Sequence, residues 1–132
     1  MNPRVLAVED NAILARPLTR FLAHSGYEVH YVDSCARARA LRDQFDVGVF
    51  DVELADGCGI DLCLELRARG VVHGAVFYTG VIDAAVLQRA AAVAQVIRKT
   101  QSAEALRQAI CGALAQTADS AASGCCSSRK VS

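Results

Sequence analysis

The sequence predicts an α/β fold: a doubly wound, five-stranded parallel sheet in strand order 2-1-3-4-5, held between two layers of helices. Three observations carry the prediction. Short apolar runs alternate five times with segments of helical periodicity; strands joined by crossover helices run parallel, and right-handed crossovers put helices on both faces. Four of the runs stop at a polar residue: Val5-Leu6-Ala7-Val8 at Glu9-Asp10, Val47-Gly48-Val49-Phe50 at Asp51, Ala75-Val76-Phe77-Tyr78 at Thr79, and Val96-Ile97-Arg98 at Lys99. Residues that start and stop helices fall at the boundaries this alternation sets.

Taken in order, the strands are predicted over 4–8, 28–32, 47–50, 75–78 and 95–98, and the helices over 12–24, 35–44, 60–68, 83–92 and 103–116. Ser25-Gly26 closes the first helix with a residue able to take positive φ, and Gly70 does the same for the third. Ser34 is placed to cap the second helix, and Ser102 to cap the last, with Glu104 in its first turn. Pro17 lies inside the first helical pattern, where it removes an i→i−4 hydrogen bond and predicts a kink or an unwound first turn. From Thr117 onward the periodicity fades into Ala and Ser, so the domain is predicted over 1–116 and a flexible tail or the start of a linker over 117–132.

Composition narrows the class. At 132 residues and 53% apolar the chain has material for one domain with a single core, and no stretch approaches the eighteen apolar residues of a membrane span. Lys plus Arg (14) balances Asp plus Glu (14), which removes the electrostatic reason to expect nucleic acid or an anionic membrane as a direct partner. The start Met-Asn-Pro-Arg runs straight into a strand with no signal-peptide core, so a cytoplasmic location is expected. Of the six cysteines, Cys35, Cys63 and Cys111 fall in predicted helices and read as small buried hydrophobes, while Cys58 falls in a loop. There is no CxxC or Cys/His spacing suited to zinc, and Cys125-Cys126 sits in a polar, small-residue stretch that suggests an exposed, oxidation-prone tail.

In an open α/β sheet, residues at the carboxyl ends of the strands face the ligand crevice. Glu9, Asp10, Asp51, Thr79 and Lys99 therefore collect at one edge. Two like charges about 4 Å apart repel by roughly 4 kcal/mol at an effective dielectric near 20. Three carboxylates must shift their pKa values upward or recruit a cation, and a hard divalent ion such as Mg²⁺ suits oxygen ligands. Such a set fits cation-assisted transfer of a phosphoryl group onto a carboxylate, with Asp51 as nucleophile, Lys99 and the Thr79 hydroxyl contacting phosphoryl oxygens, and Gly80 leaving its own N–H unobstructed. Glu53 and Val81 flank the site and are placed to tune water access to the phosphoryl group.

The segments Val8-Glu9-Asp10-Asn11, Asp51-Val52-Glu53-Leu54-Ala55-Asp56-Gly57-Cys58-Gly59, Tyr78-Thr79-Gly80 and Lys99, with Gly26-Tyr27-Glu28-Val29, resemble the receiver domain of two-component response regulators over about residues 4–115. The resemblance implies a flavodoxin-like, three-layer fold and a phosphoacceptor at Asp51 that is loaded by a histidine kinase or a histidine phosphotransfer protein. It implies Mg²⁺ (or Mn²⁺) bound by Asp10, Asp51 and the backbone carbonyl of Glu53, with Glu9 acting through water, and Thr79 and Lys99 as the switch pair. It also implies a self-modifying signalling domain of a phosphorelay rather than an enzyme in the ordinary sense, acting on a downstream protein target or a missing output domain. No output domain follows Gln116, so a single-domain regulator or relay intermediate is expected, although a receiver excised from a longer chain would read the same.

Five positions depart from the family pattern. Thr100 stands where a proline usually follows the lysine, Val96 where an aromatic is favoured, and Ala55 where the loop after the phosphoacceptor usually carries proline; Ala94-Gln95 replaces an acidic pair used for dimerisation in one branch. Helix 84–92 is rich in small residues, which suits either a flat docking face or simply a good helix former. The competing reading is a pseudo-receiver, a phosphorylation-independent interaction module. A flavin or nucleotide enzyme of the same fold is disfavoured, because no glycine-rich cradle follows the first strand.

Overall fold

Buried strands organise the chain. The computed structural model describes residues 2–125, with side chains described as far as Gln116. Strands β1 (Arg4–Val8), β2 (Glu28–Val32), β3 (Phe45–Phe50), β6 (Val72–Thr79) and β7 (Gln95–Arg98) form a parallel sheet in the order β2-β1-β3-β6-β7. Helices α1 (Ala12–His24), α2 (Cys35–Arg39), α3 (Gly59–Ala68), α4 (Ala84–Val93) and α5 (Ala103–Cys125) fill the connections, and a short antiparallel hairpin, β4 (Glu53–Leu54) and β5 (Gly57–Cys58), follows β3. With the hairpin set aside, the order is the predicted 2-1-3-4-5.

Strands β1 and β3 are covered on both sides, which is why residues 5–8 and 47–50 read as unbroken apolar runs. Side chains alternate between two cores. Leu6, Val8, Phe50, Phe77 and Val72 pack with Ile60, Leu62 and Leu66 on one face; Val5, Val47, Val49, Val76 and Ile97 pack with Leu18, Leu22, Leu106 and Ile110 on the other.

The predicted caps form. Ser34 Oγ accepts from Arg37 N at 3.1 Å, Ser102 Oγ accepts from Ala105 N at 3.2 Å, and Gly26 and Gly70 close their helices at φ +97° and +77°. Asp83, expected as the first residue of its helix, instead caps α4 by accepting from Ala85 N and Val86 N.

Several boundaries differ. The second helix stops at Arg39 rather than at 44, because Phe45 joins the sheet: its N–H donates to Val71 O at 2.7 Å, and its ring meets His30 and the Arg4 guanidinium. The sheet register likewise extends the fourth parallel strand back to Val72. The segment expected as a plain loop over 52–59 contains the β4–β5 hairpin.

Helix α1 begins at Ala12, so its first turn is not unwound; Pro17 deprives Ile13 of an amide partner, and Ile13 is 82% exposed, where water can serve that carbonyl. Helix α5 continues to Cys125, past the expected end at 116, through a stretch whose alanines favour helix while its Thr, Asp, Ser and Gly do not. Cys35 and Cys63 are buried as expected, but Cys111 is exposed and Cys58 is half-buried in β5. Cys126, and the tail expected beyond it, lie outside the described residues. No helix among the described residues is long and apolar enough to cross a membrane.

Phe77 is fully buried with its ring 6.3 Å from that of Phe50, at the centre of one core. Phe77→Ala is expected to destabilise the fold by about 3–5 kcal/mol, read as a lower urea midpoint at unchanged slope.

Candidate functional site

The site grows from the ends of β1, β3, β6 and β7. Where β1 runs into α1, Glu9 turns inward and is 3% exposed, while Asp10 remains exposed. Asn11 holds this turn in two ways. Its N–H donates to Glu9 Oε2 at 3.1 Å, and its Oδ1 caps α1 by accepting from Ile13 N and Leu14 N at 3.0 and 3.4 Å. Behind it, the Tyr31 hydroxyl at the end of β2 donates to the Glu9 carbonyl at 2.6 Å.

Asp51, one residue past β3, is buried beside them, and ligand oxygens of Glu9, Asp10 and Asp51 lie within 4.8 Å of one another. Lys99, one residue past β7, threads its ammonium between the two buried carboxylates: Nζ donates to Glu9 Oε1 at 2.6 Å and to Asp51 Oδ2 at 2.8 Å. The β6–β7 register fixes the root of that side chain, since Lys99 N donates to Thr79 O at 2.9 Å. All described peptide bonds are trans, including Lys99–Thr100.

Burial pushes the Glu9 carboxyl above the ordinary carboxylate range, and the hydrogen bonds from Lys99 and Asn11 offset only part of that rise. Burial also works against the Lys99 ammonium, but its hydrogen bonds to Asp51 and Glu9 prevail and hold its pKa raised. The ion triad is thus strongly paired, with the exposed Asp10 beside it.

Thr79 stands at the same edge and is fully buried, but its hydroxyl engages a neighbour rather than the triad: Oγ1 accepts from Val81 N at 3.1 Å. A Cβ on the adjacent Gly80 would lie 3.9 Å from Lys99 Cδ, so that residue leaves the lysine stem ordinary room. Glu53 is exposed, and its N–H donates to Asp51 Oδ1 at 3.4 Å.

Three contributors carry no plain signal in sequence. A Cβ on Gly59 would fall 1.7 Å from the Asp51 carbonyl oxygen, so only glycine permits α3 to start so close under Asp51. Tyr31 comes from an edge strand remote in sequence, and the amide of Ala55 donates to Asp10 Oδ2 at 2.7 Å. Asn11 does carry a signal that the sequence reading passed over, a helix-capping residue type directly ahead of a helical run.

The donor set suits a small hard cation: three carboxylates with one open to solvent, next to a backbone loop. The Asp51 carboxylate lies beside both the other two carboxylates and the Lys99 ammonium.

Comparison with known proteins agrees with this geometry. Residues 5–111 match the family model described as the response regulator receiver domain, and the chain belongs to that family. Membership carries a general role in phosphorelay signalling. The chain is 31% identical over 110 residues to the alginate biosynthesis transcriptional regulatory protein AlgB of Pseudomonas putida KT2440; that match covers 80% of the chain but only 25% of AlgB, so the chain spans about a quarter of that relative's length. Among solved structures, the CheY-like receiver domain protein of Methanospirillum hungatei JF-1 superposes with a TM-score of 0.79 at 20% identity, covering 91% of this chain and 99% of that one. The signal receiver domain of a modulated diguanylate cyclase from Desulfovibrio desulfuricans G20 gives a TM-score of 0.78 at 27% identity, covering 89% and 97%.

The sign of the Lys99 contribution follows from its raised pKa: it is in place below the ordinary lysine value and is lost as pH rises through the raised one. The raised Glu9 value means that the folded chain holds that proton more tightly, so the cost of the carboxylate sets in as pH rises through it. Lys99→Ala removes a contact that lowers the Glu9 pKa. Its destabilisation is expected to be on the order of 3 kcal/mol near neutral pH and to shrink as pH falls toward the carboxylate range. Urea melts at several pH values test this, and a deficit independent of pH contradicts it.

Proposed function

We propose that the chain is a phosphorylatable receiver in which Asp51 accepts a phosphoryl group from the phosphohistidine of a histidine kinase or histidine phosphotransfer protein. The observation that supports this best is the Lys99 ammonium held between Asp51 and Glu9 at 2.8 and 2.6 Å, beside the open carboxylate of Asp10. In the transfer, an Asp51 carboxylate oxygen attacks phosphorus and the P–N bond to the donor imidazole breaks. The electron pair of that bond leaves with the imidazole nitrogen, and an acyl phosphate forms on Asp51. Attack by water on phosphorus later releases inorganic phosphate and restores the carboxylate.

On this reading Asp10, Asp51 and the Glu53 backbone carbonyl hold a divalent cation, Mg²⁺ or Mn²⁺, with Glu9 behind them. When bound, that cation would supply positive charge to offset that of the incoming phosphoryl group. The chain's own groups do the rest. Lys99 exchanges its contact with Asp51 for one with a phosphoryl oxygen, and its pairing with Glu9 keeps the ammonium in place. Thr79 accepts from Val81, which leaves its hydroxyl hydrogen free for a second phosphoryl oxygen, and the Gly80 amide flanks the same oxygens.

The domain modifies itself rather than turning over a separate substrate, and its phosphorylated state changes its contacts with a downstream protein or an output domain. A cytoplasmic location goes with a kinase as donor.

Intact mass after incubation with acetyl phosphate and Mg²⁺ is expected to rise by one phosphoryl group in wild type and not in Asp51→Asn. A folded wild type that gains no adduct and also fails to bind beryllofluoride overturns phosphotransfer and leaves the interaction-module reading.

A further inference from the structure

The two-residue turn Ala55-Asp56, which joins the strands of the β4–β5 hairpin, is fastened on two sides. On one side the Ala55 N–H donates to Asp10 Oδ2 at 2.7 Å. On the other, the Asp56 carboxylate reaches the start of α2, where Oδ1 accepts from Cys35 N at 2.9 Å and Oδ2 from Ala36 N at 3.0 Å. These two amides hold the Asp56 carboxyl below its ordinary range. The hairpin also packs on that helix start, since a Cβ on Gly57 would lie 3.1 Å from Cys35 Sγ. The turn is therefore a fixed platform, and the group it presents to the acidic cluster is a backbone donor.

The family pattern usually places proline at this position, and proline has no N–H. Alanine changes the chemistry there. We propose that the Ala55 amide is a positioning group for Asp10, holding its carboxylate toward Asp51 so that the two bind a divalent cation with Glu9 behind them. This deepens the functional reading above and rests on it.

The physical case is one of orientation. Asp10 is exposed, and an unheld exposed aspartate spreads its carboxylate over several rotamers. A charge-assisted bond from a rigid amide selects one of them. A carboxylate has about four lone-pair sites, so the amide contact leaves capacity for a cation on the same group. The ligand oxygens already lie within 4.8 Å of one another with this bond in place. Hydrogen-bonded partners behind metal ligands are typically worth about 10- to 100-fold in metal affinity.

The test is calorimetric titration of Mg²⁺ into the full chain as wild type, Ala55→Pro and Ala55→Gly, with thermal midpoints measured in parallel. Ala55→Pro removes the donor and is expected to weaken Mg²⁺ binding about tenfold without a matching loss of thermal stability. Ala55→Gly keeps the donor and is expected to bind close to wild type. Ala55→Pro binding as tightly as wild type, or Ala55→Gly losing as much as Ala55→Pro, overturns the proposal.

If Ala55→Pro does not fold, the Ala55 amide proton decides: it is expected far downfield in wild type and to move upfield in Asp10→Ala. An amide shift indifferent to Asp10→Ala overturns the proposal. A wild type that takes up no Mg²⁺ overturns the functional reading and this inference with it. A wild type that binds while Ala55→Pro matches it overturns only the role of Ala55.

Discussion

The Lys99 ammonium between Glu9 and Asp51 is the constraint from which the rest of the upper sheet edge follows. Two carboxylates with little access to water are tolerable only with a cation between them, and this one comes from 90 residues away from Glu9 and 48 from Asp51. Its placement needs β1, β3 and β7 to end at the same level. The register that levels them shows in the last pair of each ladder, where Val8 pairs with Val32 and Phe50, Phe50 pairs with Phe77, and Thr79 pairs with Arg98. A slip of one residue in any pair would turn a core valine or phenylalanine toward the opposite helix layer. The apolar cores thus align the charges, and the charges contribute little to specifying the fold. Function sits where the cores stop.

Apart from Lys99, the donors that hold these carboxylates come from the backbone. Asn11 uses its own N–H on Glu9 and its side chain on α1, Tyr31 takes the Glu9 carbonyl, and Gly59 clears space under Asp51. The hairpin beyond Asp51 adds two further backbone contacts, from Glu53 N to Asp51 and from Ala55 N to Asp10. Backbone donors on short, anchored turns lose less freedom than long side chains doing the same task. That economy suits a site whose carboxylates must be held in place while one of them remains open to solvent.

The architecture was legible because its signals are redundant. Strand ends, caps and the two positive-φ glycines agree with one another, so parallel order and sheet edge followed from pattern alone. Glu9, Asp10, Asp51 and Lys99 were legible for a related reason, as a polar residue that ends a buried apolar run has one face of the sheet left to it. What escaped lies below the length at which periodicity carries information. Two-residue strands such as Glu53–Leu54 have no period, and Phe45, left between the expected second helix and third strand, joins β3 through its pairing with Val72. Cys111 shows the same limit, because a small apolar residue on the last helix reads as core, yet α5 turns that position outward. Gly59 and Tyr31 act through contacts that only the fold creates.

The departures from the family pattern near Lys99 leave the lysine between Glu9 and Asp51. Its root is held by the bond from Lys99 N to Thr79 O, and the adjoining Arg98 N is held by Gln101 Oε1 at 2.8 Å, so neither contact depends on the residue at 100. Val96 has a different consequence. It packs half-buried against the core on the α4 side and has no ring to rotate, so a coupling that relies on a moving aromatic has nothing to move. What Thr79 does contact is the Val81 amide, and the chain from Val81 leads within two residues to Asp83, the cap of α4. On the proposed reading, a phosphoryl oxygen that draws the Thr79 hydroxyl toward Asp51 therefore acts first on this short loop, and the start of α4, not an aromatic on β7, is the element that registers the change.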